Sequence, residues 1–316
     1  MKQFLSLQCR GFSRRLDPNF LTSGLYVPGN QQKMLTKCVT TKASLLVPDM
    51  EDSVPEGQEK VKARELIRQN LKDIRAKTYD QRVIITPRTN GITTGLFKDD
   101  VEGVLTKETI DSIDGFCVPK VDTSTEYKQI DTILTTQENQ YGLPIGHFKL
   151  IPQIESTLSL MNAKDIFSLD RESNKRILAA AFGADDFTAD FEIDRQADDG
   201  NIQFHKKLFA LACHAFNVVS IDTPYVHYKD LDGLRKELGI LKSFGMKAKF
   251  AIHPTQVDVI NEVLRPSAEE VKYYREMIAQ FEEAQVKTGK AAIQFQGKMV
   301  DIAAYRRAKA IVKRAE

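Results

Sequence analysis

The 316-residue chain carries 45 Lys and Arg against 43 Asp and Glu, a formal charge of +2, so bulk electrostatics call for no polyanionic partner and argue against nucleic-acid binding. With 42% hydrophobic and 28% charged residues it can bury a real core and lies outside the composition of disordered chains. No window approaches the ~20 uninterrupted apolar residues of a membrane-spanning helix, and Cys9, Cys38, Cys117 and Cys213 form neither a CxxC nor a Cys/His cluster, which argues against a zinc site and a disulfide framework.

Residues 1–16 hold Lys2, Arg10, Arg14 and Arg15, no acid, and Ser6 and Ser13 among Phe and Leu. This is the pattern of a mitochondrial presequence, and hence of a matrix protein; a basic terminus with no address is the other reading. Eight short apolar or β-branched runs then end abruptly in turn or polar residues and predict strands. They are 24–28 (GLYVP), 44–48 (SLLVP), 82–87 (RVIITP), 115–119 (GFCVP), 149–154 (KLIPQI), 177–182 (ILAAAF), 218–222 (VVSID) and 249–254 (KFAIHP). Their starts recur roughly every 32 residues, the length of a βα unit.

After the first run, Lys33 and Lys37 lie four apart, so a helix there would project both from one face. They could grip a phosphorylated ligand or simply be solvated. After the second run, residues 56–76 place Val61, Leu66, Ile67, Leu71 and Ile74 at helical spacing. Strands and helices alternate, and the strands read as buried on both faces, which predicts a (β/α)8 barrel over residues 23–254. An open doubly wound sheet would call for GxGxxG after the first strand, and that motif is missing there.

Beyond the eighth run, Ser267 and Glu270 form a capping box for a helix whose apolar stripe is Val271, Tyr274, Met277, Ile278 and Phe281. A Gly-containing connector, 287–298, leads to a last helix from about Asp301 to Lys313. Residues 255–316 are therefore expected to be a C-terminal helical extension that packs across the barrel mouth or against a neighbouring subunit.

In such a barrel the catalytic groups stand where strands end. In order the strand ends offer Tyr26; Asp49, Glu51 and Asp52; Arg88 and Asn90; Lys120; Glu155; Asp185 and Asp186; Asp222; and His253. Any single Asp of this set reads equally as a turn former or helix cap. Glu155 and Asp186 end neighbouring strands, and two hard oxygen ligands with open positions suit Mg²⁺. If the strand continues past Asp185, that residue points away and only Asp186 faces the metal.

These residues fall in motifs. LYVPGN (25–30), VPDMEDSVP (47–55), CVPKVD (117–122), LIPQIES (150–156), FGADDF (182–187), AIHPTQ (251–256) and FQGKMVD (295–301) occur in that order over nine-tenths of the chain. The sequence thereby resembles the citrate lyase β-subunit-like family of the HpcH/HpaI aldolase superfamily. The resemblance implies a barrel with a C-terminal extension, usually a homotrimer or a dimer of trimers. It implies Mg²⁺ held by Glu155 and Asp186, coenzyme A contacted by Tyr26, Lys33, Lys37, Ile252 and His253, and a keto acid bound and polarised by Arg88. Asp301 corresponds to an acid/base supplied from the tail of an adjacent subunit, although its position also suits a helix cap. The activity implied is Mg²⁺-dependent cleavage of a short β-hydroxyacyl-CoA, first among them citramalyl-CoA to acetyl-CoA and pyruvate. Malyl-CoA cleavage, a malate-synthase-like condensation or a thioesterase is the alternative within the family; a non-catalytic CoA-ester- or partner-binding barrel is the alternative outside it.

Overall fold

All eight runs contain strands in the computed structural model, which describes residues 16–78, 82–289 and 291–315. The basic leader lies outside these residues except for Leu16. The strands are β1 (Ser23–Pro28), β2 (Leu45–Asp49), β3 (Ile84–Ile85), β4 (Gly115–Val118), β5 (Lys149–Ile154), β6 (Ala179–Phe182), β7 (Val219–Asp222) and β8 (Ala248–Ala251). All neighbouring pairs are parallel, in the order β3-β2-β1-β8-β7-β6-β5-β4. β3 is only two residues long because Pro87 has no N–H to give to a ladder. The pairing goes on as single bonds, Thr86 N to Leu46 O (3.0 Å) and Arg88 N to Pro48 O (2.8 Å) on one side and Cys117 N to Pro87 O (3.0 Å) on the other. Those bonds bring β2, Arg88 and β4 together and close the barrel.

Alternation along each strand decides what lies inside. Leu45, Val47, Ile84, Cys117, Ile151, Ala179, Ala181, Val219, Ile221, Ala248 and Phe250 fill the barrel interior. The intervening residues meet the helices: α1 (Gln32–Lys37), α2 (Gln58–Thr78), α3 (Phe97–Val104), α4 (Ser124–Tyr141), α5 (Thr157–Glu172), α6 (Ala184–Asp190), α7 (Gln203–Ala215) and α8 (Leu231–Ser243). On α2 the buried stripe runs through Ala63, Ile67, Leu71 and Ile74, with Lys60 and Asn70 beside it, whereas Val61 turns to solvent.

The chain divides into two units between Ile260 and Asn261, within helix α9 (Pro254–Leu264). The second unit contains α10 (Ala268–Thr288), β9 (Ala292–Phe295), β10 (Lys298–Asp301) and α11 (Ile302–Ala315). The Ser267/Glu270 capping box is present. The expected connector is instead largely an antiparallel hairpin. Its two-residue turn, Gln296–Gly297, has φ +46° and +79° and is therefore of the primed kind that matches strand twist. Met277, Phe281, Phe295, Val300 and Ala308 form this unit's own core. Among the described residues no helix is long and apolar enough to cross a membrane.

Candidate active site

At the carboxyl ends of the strands a cleft of about 330 Å³ is lined by Tyr26, Asp49, Asp52, Arg88, Gln153, Glu155, Asp185, Asp186, Thr223, Pro224 and Ile252 among others. Five of the expected site residues, Tyr26, Arg88, Glu155, Asp186 and Ile252, thus share one cavity.

Arg88 is buried, and its three side-chain nitrogens all face carboxylates. Nε and Nη2 grip Asp49 at 2.6 and 2.7 Å, while Nη1 lies 2.6 Å from Glu51 and 3.2 Å from Asp52. Its guanidinium also sits 4.7 Å from the centre of the Tyr26 ring. Burial would raise the Asp49 carboxyl, but Arg88 overrides it and holds Asp49 below the usual range. The loop after β2 is fixed from behind: buried Lys60 donates to Glu51 O (2.9 Å) and to Asn90 Oδ1 (2.8 Å). Asn90 is a strap of this loop, donating its side-chain amide to Met50 O and Asp100.

Across the cleft, Lys120 stands in a left-handed backbone conformation, φ +53°, which a non-glycine residue adopts at a cost of about 1–3 kcal/mol. The gain is a bond from its N–H to Glu155 Oε1 at 2.7 Å. Its ammonium lies 3.2 Å from Glu51 and 3.7 Å from Asp186. Gly183 lets the end of β6 approach so closely that a Cβ there would fall 2.5 Å from Glu155. Burial, then the charges of Glu51 and Asp186, push the Glu155 carboxyl up to about 8. Burial likewise pushes Glu51 up to about 7 against the pull of Arg88.

This is a site short of positive charge, and the donor set suits a hard divalent cation. Glu155 and Asp186 would be its protein ligands, with water or substrate oxygens completing the shell. Among the described residues no group of three or more His, Cys, Asp or Glu forms a ready-made cage. Asp185 and Asp186 do diverge, but for a different reason from the strand alternation expected. Both lie in the first turn of α6, where successive residues point about 100° apart. Asp185 pairs with Arg195, while Asp186 pairs with Lys120.

The other candidates lie outside the cleft lining. Lys33 and Lys37 are exposed on α1, with no ion partner among the described residues. His253 follows Ile252, accepts the Thr255 N–H at 3.3 Å through Nδ1 and packs against Tyr228. Asp301 belongs to the second unit, exposed, and caps α11 by accepting the Ala304 N–H at 2.9 Å. Asp222 does not join the mouth. Inside positions on β7 are Val219 and Ile221, so Asp222 points outward and meets Lys206 and Lys249 in a sealed layer beneath α7 and α8. Those two lysines had no signal in sequence, since a Lys on a helix or strand normally reads as solvated.

A model of the family described as HpcH/HpaI aldolase/citrate lyase matches residues 22–254. The citrate lyase subunit beta of Leuconostoc mesenteroides subsp. cremoris is 28% identical over 291 residues, covering 92% of each chain. The mitochondrial citramalyl-CoA lyase of Rattus norvegicus is 30% identical over 294 residues, 91% of this chain and 84% of that one. Among solved structures, the protein CitE of Mycobacterium tuberculosis in complex with magnesium, acetoacetate and coenzyme A superposes with a TM-score of 0.71. At 21% identity over 93% of this chain and 97% of that chain, it attests the fold.

Proposed function

The chain belongs to the HpcH/HpaI aldolase/citrate lyase family, and from that membership we propose that it is a Mg²⁺-dependent carbon–carbon lyase of β-hydroxyacyl-CoA esters, cleaving citramalyl-CoA to acetyl-CoA and pyruvate. The observation that carries the proposal is one cleft in which Glu155 and Asp186 adjoin a cationic Arg88. A bound Mg²⁺ would supply Lewis-acid polarisation of the substrate's oxygens.

The chain's own groups do the rest. Arg88 receives the carboxylate of the keto-acid half. Asp52, 59% exposed, is the partner it exchanges most easily, whereas buried Asp49 keeps the guanidinium in plane. Lys120 bridges Glu51 and Asp186 through its ammonium and aims Glu155 through its N–H. Cleavage breaks the bond between the carbinol carbon and the carbon next to the thioester. The hydroxyl gives up its proton to solvent as its oxygen becomes the keto oxygen, and the carbon next to the thioester carbonyl keeps the electron pair and takes up a proton to become the methyl group of acetyl-CoA. Asp301, supplied by a second copy in a homotrimer, delivers that proton. Lys33 and Lys37 hold the coenzyme A phosphates beside Ile252 and His253. The acid-free leader and the mitochondrial names of mammalian relatives support a matrix location.

Pyruvate and malyl-CoA's product glyoxylate differ by a methyl group, worth about 1–3 kcal/mol in a pocket. The test is therefore a coupled assay on both esters with Mg²⁺ present. Faster release of pyruvate from citramalyl-CoA is expected. Release of glyoxylate alone would move the enzyme to malyl-CoA, and no cleavage of either would leave a non-catalytic CoA-ester-binding barrel.

A further inference from the structure

We propose that Arg195 is a positioning residue for the metal site: it pins Asp185 to its own side of the cleft wall and so fixes Asp186 as the acid that faces Lys120 and Glu155. The inference rests on Glu155 and Asp186 being cation ligands. Helix α6, which carries both acids, is only seven residues long and begins at Gly183 without a side-chain cap. A helix that short has little orientation of its own. Its first turn is held from outside, by Thr223 Oγ1 accepting the Ala184 N–H at 3.3 Å and by Arg195.

Arg195 spends every side-chain nitrogen on this task. Nη1 meets both Asp185 oxygens at 3.0 Å, Nε and Nη2 grip Asp199 at 2.7 and 3.1 Å, and Nη2 also donates to Pro224 O at 3.3 Å. It therefore ties the segment after β6 to the segment after β7, and Asp185 and Pro224 both line the cleft. The far side of the clamp is firm. Asp199 is 2% exposed, sits at φ +53°, and is held by Lys206 at 2.5 Å within the sealed ion layer.

Asp185 itself is 66% exposed, and among the described residues Arg195 is the partner that commits its carboxylate to one direction. Because successive residues of the turn are about 100° apart, a twist that lets Asp185 swing toward Glu155 carries Asp186 off Lys120. A lysine cannot span three partners from one ammonium, so Arg195→Lys should fail here.

The test is Mn²⁺ binding, read from free-ion paramagnetic resonance without substrate, to wild type, Arg195→Lys, Asp185→Asn and Glu155→Gln. Asp185→Asn alters an exposed group and should melt like wild type. Both it and Arg195→Lys are expected to weaken Mn²⁺ binding about 10–100-fold, the usual loss for groups that orient a ligand. Wild-type Mn²⁺ affinity in folded Asp185→Asn, or in folded Arg195→Lys, would overturn the assignment; should Arg195→Lys not fold, Asp185→Asn decides alone. If wild type binds no Mn²⁺, or Glu155→Gln binds it equally well, the metal-site reading falls and the inference falls with it.

Discussion

Two clusters of charge in the barrel use the same residue types to opposite ends. At the mouth, Asp49, Glu51, Asp52, Glu155 and Asp186 face Arg88 and Lys120. Beneath α7 and α8, Asp199, Asp222 and Glu237 are matched by Arg195, Lys206 and Lys249. The first cluster opens to a cleft and lacks cation; Glu155 is pushed up to about 8. The second is closed to solvent apart from the edge of Arg195; burial keeps Glu237 raised, but Lys206 and Lys249 override burial at Asp222 and bring it down to about 2. Completed pairing marks structure, and incomplete pairing marks a place for a ligand.

If that contrast holds, Glu155→Gln or Asp186→Asn should lower kcat by about 10³ or more while leaving the fold intact, because each change removes a carboxylate that lines the cleft and keeps the side chain's shape. Circular dichroism and kcat measured on the same sample check both halves. Asp301→Asn, in the second unit, should lower kcat while leaving Mn²⁺ binding unchanged. The sealed cluster should behave in reverse. Lys249→Met strands Asp222 and Glu237 in a dry layer and should cost about 3–5 kcal/mol of stability, seen in denaturant unfolding.

How far these two regions were legible in the sequence follows from their chemistry. The eight strands were visible because each is a short apolar run closed by a turn signal, and Glu155 and Asp186 because they closely follow two of them. Asp222 looked the same and was misplaced, since the residue that ends β7 falls on the outward side of the pleat and the end of a run does not tell which side that is. Asp185 and Asp186 were separated by the wrong periodicity, a helical turn having replaced the strand. The hairpin in the 287–298 segment hid because Ala292–Phe295 and Lys298–Asp301 are too short and too polar to show a strand pattern before their pairing is known. Lys120's strained backbone left no trace either, as nothing in CVPKVD marks a positive φ.

The pH response sharpens the contrast. Glu155 titrates at about 8 in the folded chain against 4.5 for an ordinary glutamate, so folding favours its protonated form. That contribution is full below about 4.5 and is lost as pH rises to about 8. Without metal, thermal stability should therefore fall across this window, Mg²⁺ should restore it, and Glu155→Gln should flatten the slope. Mg²⁺ affinity should rise by up to about tenfold per pH unit below about 8, as binding displaces that proton. The smallest effect is expected outside the cleft, where Lys33→Ala and Lys37→Ala should each raise KM a few-fold with kcat unchanged, since a remote contact binds ground and transition states alike. Unchanged KM values would make the two lysines a solvated face.

Metal-dependent cleavage at this mouth is tested most directly by following pyruvate release from citramalyl-CoA in EDTA, then after excess Mg²⁺, with wild type and Asp186→Asn side by side. Wild type should be silent in EDTA and recover with Mg²⁺, and Asp186→Asn should stay silent in both. Pyruvate released by wild type at an undiminished rate in EDTA, or by Asp186→Asn at the wild-type rate, would contradict it.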